Sequence, residues 1–331
     1  MEASSKQSRR RAVLLIRVLV SIGFLAVLFT QVDDVDPGSL TPNWSFSTIL
    51  WLVGAAAFTF IGIGLSTMRW QQVLTAMGVH TRWRHLFSHY LAGQFISNVL
   101  PTTIGGDVVR VSRLTQESGH SPSTFASVVL ERLSGWLVLP LITFVGLVAN
   151  PGLRELGSAT ALAAAVAAAT LTALVLVVIL VADQRLGGRF ARREGWSRFA
   201  GAVHEGMTHL REQPLAATGV LAAGILYQLV MVVAALMASR ALGISALGLT
   251  AMLTFLPAVL VIQVLPVGIS GLGLREAAFV IFLGPLGVPT EQAIALGLCL
   301  YLLNVVTSLP GAPAFAIGPR RHNPAARGAA A

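Results

Sequence analysis

Two ionisable residues stand inside an otherwise apolar stretch. Glu131 and Arg132 lie within Phe125–Ala149. A charge at the centre of a bilayer costs roughly 2.5–3.5 kcal/mol on insertion scales, so such residues are kept for a reason. Neighbouring helix positions do not face each other, so the two are not natural partners. The sequence offers partners elsewhere: Arg275 or Arg110 for Glu131, and Glu276 or Asp107 for Arg132. The expectation is cross-pairing between two halves of the chain.

Those candidate partners sit in two related segments. Residues 98–110 read Asn-Val-Leu-Pro-Thr-Thr-Ile-Gly-Gly-Asp-Val-Val-Arg, and residues 264–276 read Val-Leu-Pro-Val-Gly-Ile-Ser-Gly-Leu-Gly-Leu-Arg-Glu. Each has Val-Leu-Pro, then a glycine-rich stretch, then arginine. Proline ends a helix and removes a donor. Glycine lets the backbone approach a ligand closely. A helix starting after such a loop aims free N–H groups at an anion, and arginine clamps a phosphate with two hydrogen bonds. Interrupted apolar segments at matching places in two halves point to a binding site in a membrane transporter. The alternative is that these loops only make tight turns and that the charges only fix helix packing.

Other chemistry finds less support. Ser118-Gly119-His120 resembles one piece of a lipid-phosphatase signature without its other pieces. Asp33, Asp34 and Asp36 read as a solvated acidic turn. The seven histidines are scattered: His80, His85 and His89 fall in one stretch, His204 and His209 in another, all read as interfacial. No metal cluster, nucleotide-binding phosphate loop or cofactor motif is expected. Nor is an enzyme.

The elements that must carry these residues follow from composition. The chain has 331 residues, 55% apolar and only 11% charged, against roughly 25% charged in a soluble protein. That excludes a soluble globular enzyme, a disordered chain and a disulfide scaffold. The sole cysteine, Cys299, lies in an apolar run as a packing residue. The formal net charge is +9, almost all arginine, placed in short segments between apolar runs. Such placement fits the positive-inside bias better than nucleic-acid binding. The expected class is an all-α polytopic membrane protein.

A span needs about 20 apolar residues. Candidates are Ala12–Thr30, Thr48–Met68, Phe125–Ala149, Ala159–Ala182, Pro214–Ser239 and Gln292–Ile317. The first is read as an uncleaved helix, because no small-residue cleavage site follows and further spans do. Shorter runs, Leu86–Leu100, Leu247–Pro266 and Leu274–Leu286, adjoin the Pro/Gly loops. Arginine placement, with Arg69, Arg82 and Arg84 marking an inside loop, gives six full crossings and two hairpin-like, re-entrant broken pairs. The two pairs enter from opposite sides, as an inverted repeat. Residues 1–11 form a basic cytosolic N-terminus, 12–318 one membrane domain, and 319–331 a disordered cytosolic tail. Both termini are cytosolic, in a cell inner (plasma) membrane. Within 185–211, Arg185, Arg189, Arg192 and Arg193 share a face, while Trp196, Phe199, Val203, Met207 and Leu210 form an apolar stripe. This is the pattern of an amphipathic helix on an anionic leaflet.

The run from Gly93 to Trp136 contains Gly-Gln-Phe-Ile-Ser-Asn-Val-Leu-Pro, Gly-Gly-Asp, Arg and Glu-Arg-Leu; Pro266, Gly271-Leu272-Gly273 and Arg275-Glu276 follow later. In these blocks the chain resembles the lysylphosphatidylglycerol synthase transmembrane-region family, over roughly residues 12–318. The resemblance implies a bilayer-embedded domain that binds or translocates a lipid with a polar headgroup. It marks Asn98, Pro101, Gly105, Gly106, Asp107, Arg110, Glu131, Arg132, Gly271, Gly273, Arg275 and Glu276 as the substrate-binding set. The family's bifunctional members continue into a cytosolic aminoacyl-transferase domain. Only 14 residues follow Ile317 here, so that activity is not expected to carry over. Two functions remain: a flippase for an anionic or glycosylated lipid, or a non-transporting scaffold that presents lipid to a separate enzyme. Expected partners are membrane lipids, with a second copy or a lipid-modifying enzyme left open.

Overall fold

A computed structural model describes residues 41–99, 105–182, 197–265 and 271–318. The described residues are helical, with no strand among them. In chain order the helices are α1 (Phe46–Ala76), α2 (Trp83–Val99), α3 (Gly105–Ser118), α4 (Ser121–Ala149), α5 (Ser158–Ala182), α6 (Ser197–Glu212), α7 (Pro214–Ala241), α8 (Leu249–Ile262), α9 (Leu274–Leu283), α10 (Thr290–Ser308) and α11 (Gly311–Ile317).

Five helical stretches are long and apolar enough to cross a bilayer: Phe46–Ala76, Ser121–Ala149, Ser158–Leu180, Pro214–Ala241 and Thr290–Ile317. They coincide with five of the six expected crossings. The sixth, Ala12–Thr30, lies outside the described residues. Leu50, Val53 and Ile61 on α1, and Ile179 and Leu180 on α5, are exposed. Such a surface suits lipid and would be a liability in water. The fold is therefore all-α and polytopic. The shorter helices pair as the sequence suggested, α2 with α3 and α8 with α9. With 14 residues, α8 extends only about 21 Å at 1.5 Å per residue, short of the ~30 Å hydrocarbon core.

Local sequence sets the boundaries. Ser45 caps α1 by accepting the Thr48 N–H at 3.1 Å, and Gly78 at φ 76° lets the chain turn away after it. Pro122 opens α4, where a missing N–H costs nothing. Between helices in lipid the driving force is close packing, so small residues line the contacts. Gly54 and Gly62 of α1 admit Met237, Met231 and Tyr227 of α7. Gly146 of α4 sits against the backbone of Thr254 on α8, and Thr143 donates to the Thr254 carbonyl at 3.1 Å. The main core includes Met252, Phe255, Phe279 and Phe282, with Phe255 and Phe282 stacked at 5.5 Å.

Helix α6 corrects one expectation. Val203 is buried with Val73, Leu130 and Val220, and Met207 and Leu210 pack beside them. This part of the apolar stripe lies on the helix bundle, not on a leaflet. Gly206 makes the fit possible, because a Cβ there would stand 2.7 Å from Leu130. The basic half of that segment, Arg185 to Arg193, lies outside the described residues, as do Trp196, the N-terminus and the tail after Gly318.

Candidate functional site

Asp107 and Arg110 of the first motif come together with Glu131 and Arg132 of α4, and with a fifth residue that sequence reasoning missed. On α4, Glu131 points inward and Arg132 outward. Arg69 of α1 pairs with Glu131 through its Nη2, and its Nε donates to the same Oε1 at 3.2 Å. Arg110 of α3 donates from Nη1 and Nη2 to the other oxygen, both at 3.2 Å. Arg110 also reaches Asp107 at 3.3 Å, one helical turn back. Asp107 in turn receives Arg132 in a two-point grip, Nη2 at 2.9 Å and Nε at 3.1 Å. The result is one chain of ions, Arg69–Glu131–Arg110–Asp107–Arg132.

Packing holds this chain in place. The Arg110 guanidinium lies 4.3 Å from the ring centres of both Trp70 and Tyr90, a cation–π sandwich. Arg69 sits 5.6 Å from the Tyr227 ring. Its head fills a recess left by Gly135, whose added Cβ would lie 2.7 Å from Nη1. Arg69, Arg110 and Glu131 are all buried, while Arg132 is 47% exposed. Three guanidiniums against two carboxylates leave one positive charge. Arg69 Nη1 and Arg110 Nε are buried donors with no partner in the protein.

Asp107 and Arg132 form part of the wall of a groove of about 660 Å³ between α3 and α4. Val108, Val111, Val129, Leu133 and Trp136 make it apolar, and Ser112, Thr115 and Gln116 add hydroxyl and amide groups. The combination is an ionic end with hydrocarbon walls.

The second motif forms its own cluster. Gly271 and Gly273 take φ 75° and 84°, a backbone that favours glycine, and Gly273 caps α9. The Gly273 N–H donates to Glu276 Oε2 at 2.7 Å, and Arg275 Nη2 donates to Oε1 at 2.6 Å. Both carboxylate oxygens are therefore used locally. The expected cross-half pairs, Glu131–Arg275 and Arg132–Glu276, do not form; the within-half alternatives do. Arg275, 5.4 Å from the Tyr301 ring, borders a cavity of about 40 Å³ with Gln263 and Asn304. Asn98, at the end of α2, donates to the Asn304 carbonyl at 3.2 Å and to Ser308 at 3.0 Å. Gly105 and Gly106 start α3, and Gly106 lets it cross α2 closely. Pro101 lies outside the described residues.

Arg69 was read as a loop marker because a charge was taken to end its span. The helix runs on to Ala76, and Arg69 is buried inside it. The signal that could have found it is an arginine followed by Trp70 while the helical pattern continues.

The structure also gathers residues read as scattered. His85 Nδ1 and His89 Nε2 meet the two oxygens of Glu117 at 2.6 and 2.7 Å. Arg113 donates from Nε to His89 Nδ1 at 3.2 Å, and from Nη2 and Nη1 to the carbonyls of Ala314 and Phe315 at 3.0 and 3.4 Å. Among the described residues no three His, Cys, Asp or Glu side chains are arranged to hold a metal. Glu117 lies on α3, outside the five long apolar helices. The hydrogen bond from His89, aided by that from His85, holds its carboxyl below the ordinary carboxylate range. A depressed acid stabilises the fold fully above its unfolded pKa and loses that contribution as pH falls through the folded one. Thermal unfolding in detergent should therefore fall off on the acid side for the wild type and flatten there for Glu117→Gln. An acid branch that survives in the variant assigns it to other groups.

The family model described as the lysylphosphatidylglycerol synthase TM region matches residues 14–311. A UPF0104 membrane protein of Methanothermobacter thermautotrophicus (strain Delta H) is 29% identical over 136 residues, covering 40% of this chain and 40% of that relative. The chain thus spans well under half the length of the curated relative it matches. No solved structure matches the chain.

Proposed function

Because this chain belongs to the lysylphosphatidylglycerol synthase transmembrane-region family, we propose that it binds a lipid with an anionic headgroup in the α3–α4 groove and moves it across the bilayer. The observation that carries this reading is the charge of the groove's network. Arg69, Arg110 and Arg132 outnumber Glu131 and Asp107 by one, and the network reaches the wall of an apolar groove through Asp107 and Arg132. A net charge held in low dielectric calls for a counter-ion. A phosphate headgroup supplies one, and its acyl chains suit walls of valine, leucine and tryptophan. Arg132 is the exposed member, so it meets the headgroup first; Arg110 and Arg69 lie deeper. The protein performs no bond chemistry in this reading. It works in an inner (plasma) membrane with both termini in the cytosol.

Lipid co-purification tests this. The protein is extracted gently and its bound lipids are identified by mass spectrometry, beside Arg132→Gln. Because Arg132 is half exposed, its loss leaves the buried Arg69–Glu131–Arg110 core in place. Enrichment of one anionic class over the bulk membrane, lost in the variant, is the expected result. Bulk lipid composition in both would sink the reading and favour a scaffold that presents lipid to another enzyme.

A further inference from the structure

Helix α3 serves two clusters at once. Asp107 and Arg110 belong to the groove network, while Arg113 and Glu117 belong to the histidine cluster. We propose that His85, Glu117 and His89 form a proton-binding site, and that a proton taken up at His89 releases α3 from the end of α11. The effect of that release on the groove rests on the lipid reading above; the proton site itself does not.

The argument starts from the two nitrogens of His89. Its Nδ1 accepts from Arg113 Nε at 3.2 Å, so Nδ1 carries no hydrogen. The hydrogen is then on Nε2, which donates to Glu117 Oε2 at 2.7 Å. This is a neutral imidazole with both nitrogens engaged, and it is buried. A second proton can add only at Nδ1. Once there, it places an N–H donor against the Arg113 N–H donor, and a second positive charge beside the first. Protonation and the Arg113 contact exclude each other. The proton comes from water, the new bond is N–H at Nδ1, and no bond of the chain is broken.

Arg113 is the link to the rest of the fold. The guanidinium displaced from His89 is the one that donates to the carbonyls of Ala314 and Phe315 on α11. Two arrangements follow. In one, His89 is neutral and Arg113 fastens α3 to α11. In the other, protonated His89 keeps Glu117 through a charge-assisted bond, and Arg113 leaves. Glu117 is suited to hold the protonated ring, since His85 occupies its other oxygen at 2.6 Å. His85 is the most open member of the cluster, its side chain 30% exposed.

The charged and titratable groups around the site are few. α2 contributes His85 and His89, and α3 contributes Arg113 and Glu117. α11 contributes backbone carbonyls. On α4, which packs on α3, Glu131 turns to Arg69 and Arg110 and Arg132 turns to Asp107; on α1 the charged side chain is Arg69, and on α10 it is Glu291, in the first turn. An element with two discrete arrangements, biased by a ligand at each end, is what coupling between sites requires.

The test uses the full chain. ¹⁵N-histidine spectra in detergent between pH 8 and pH 5, the window in which imidazoles switch charge, should show His89 as the Nε2–H form that gains a proton at Nδ1. Ala314→Cys in a Cys299→Ser background reports the docking of α11. Its labelling by a water-soluble maleimide should rise several-fold over the same window. With His89→Gln added, labelling should lose its pH dependence. A His89 that stays neutral to pH 5, a proton gained without any change in labelling, or a pH response that survives His89→Gln overturns the proposal. The spectra come from unsubstituted His89, so a poorly folding variant does not remove the test. A second arm reads the lipid function alone, following fluorescent phosphatidylglycerol across the bilayer of vesicles. Movement absent at every pH, with His89 titrating and Ala314→Cys opening, fails the lipid reading and leaves the proton site standing. Movement that ignores pH overturns the link between them.

Discussion

Glu131→Gln destabilises the protein by about 3–5 kcal/mol, the usual cost of breaking a buried ion pair by removing one partner. Glu131 is 1% exposed and neutralises two guanidiniums at once, Arg69 on one oxygen and Arg110 on the other. Glutamine keeps the shape but removes the charge, and its amide N–H₂ then faces a guanidinium, donor against donor. The network goes from three positive and two negative groups to three and one. Trp70 and Tyr90 hold Arg110 from both sides, so it has little freedom to turn toward water. The measurement is denaturant or thermal unfolding in detergent micelles, followed by helical circular dichroism. Arg69→Met in the Glu131→Gln background should recover part of the loss, since it takes away one stranded cation. Arg132→Gln is the contrasting single change. Its side chain is 47% exposed, and exposed pairs are worth about 0–1 kcal/mol. If Glu131→Gln and Arg132→Gln cost the same, the buried network is not what holds α1, α3 and α4 together.

The fold class was legible because hydropathy is a long-window property. Five described helices fall where long apolar runs lie, and the two Pro/Gly loops adjoin the short helices α2–α3 and α8–α9. The candidate site was half legible. Glu131 and Arg132 stood out as charges in the wrong solvent, Asp107 and Arg110 as the charged end of a Pro/Gly loop, and Asp107–Arg132 and Arg110–Glu131 were among the pairings the sequence left open. Partner choice was not readable, because it depends on which neighbour has a free valence. Glu276 looked available to the other half until its oxygens were seen on the Gly273 N–H and on Arg275. Arg69 was hidden by the rule that a charge ends a span. That rule fails where a buried carboxylate waits on a helix packed alongside, as Glu131 of α4 does. The histidine cluster was hidden differently. His89 and Glu117 lie 28 positions apart, and only the antiparallel return of α3 along α2 brings them together.

Gly106→Ala lowers stability by about 1–3 kcal/mol, the ordinary range for overpacking a close contact, although alanine is the better helix former. A Cβ at Gly106 lands on the Ser97 hydroxyl and on the backbone carbonyl of Gly93. Serine can rotate away; a carbonyl in the middle of α2 cannot, so α2 and α3 must separate. Gly93 makes the reciprocal contact, with its own Cβ position 2.8 Å from the Gly106 carbonyl. Gly64→Ala sets the scale for propensity alone. It lies inside α1 with nothing nearer than the Trp83 ring at 3.9 Å. There alanine should stabilise by roughly 0.5–1 kcal/mol through reduced backbone entropy. The same substitution thus has opposite signs at two helical glycines, and unfolding of both variants in one detergent reads the difference. Separation of α2 and α3 also carries function, because the turn after Gly106 holds Asp107 and Arg110. The Arg110 guanidinium is sandwiched against Tyr90 of α2, so a displaced α3 pulls it off Glu131. Gly106→Ala should therefore weaken retention of anionic lipid, while Gly64→Ala leaves it intact. Equal gains in stability from both substitutions would mean that the α2–α3 crossing has room to spare and that glycine serves the loop rather than the contact.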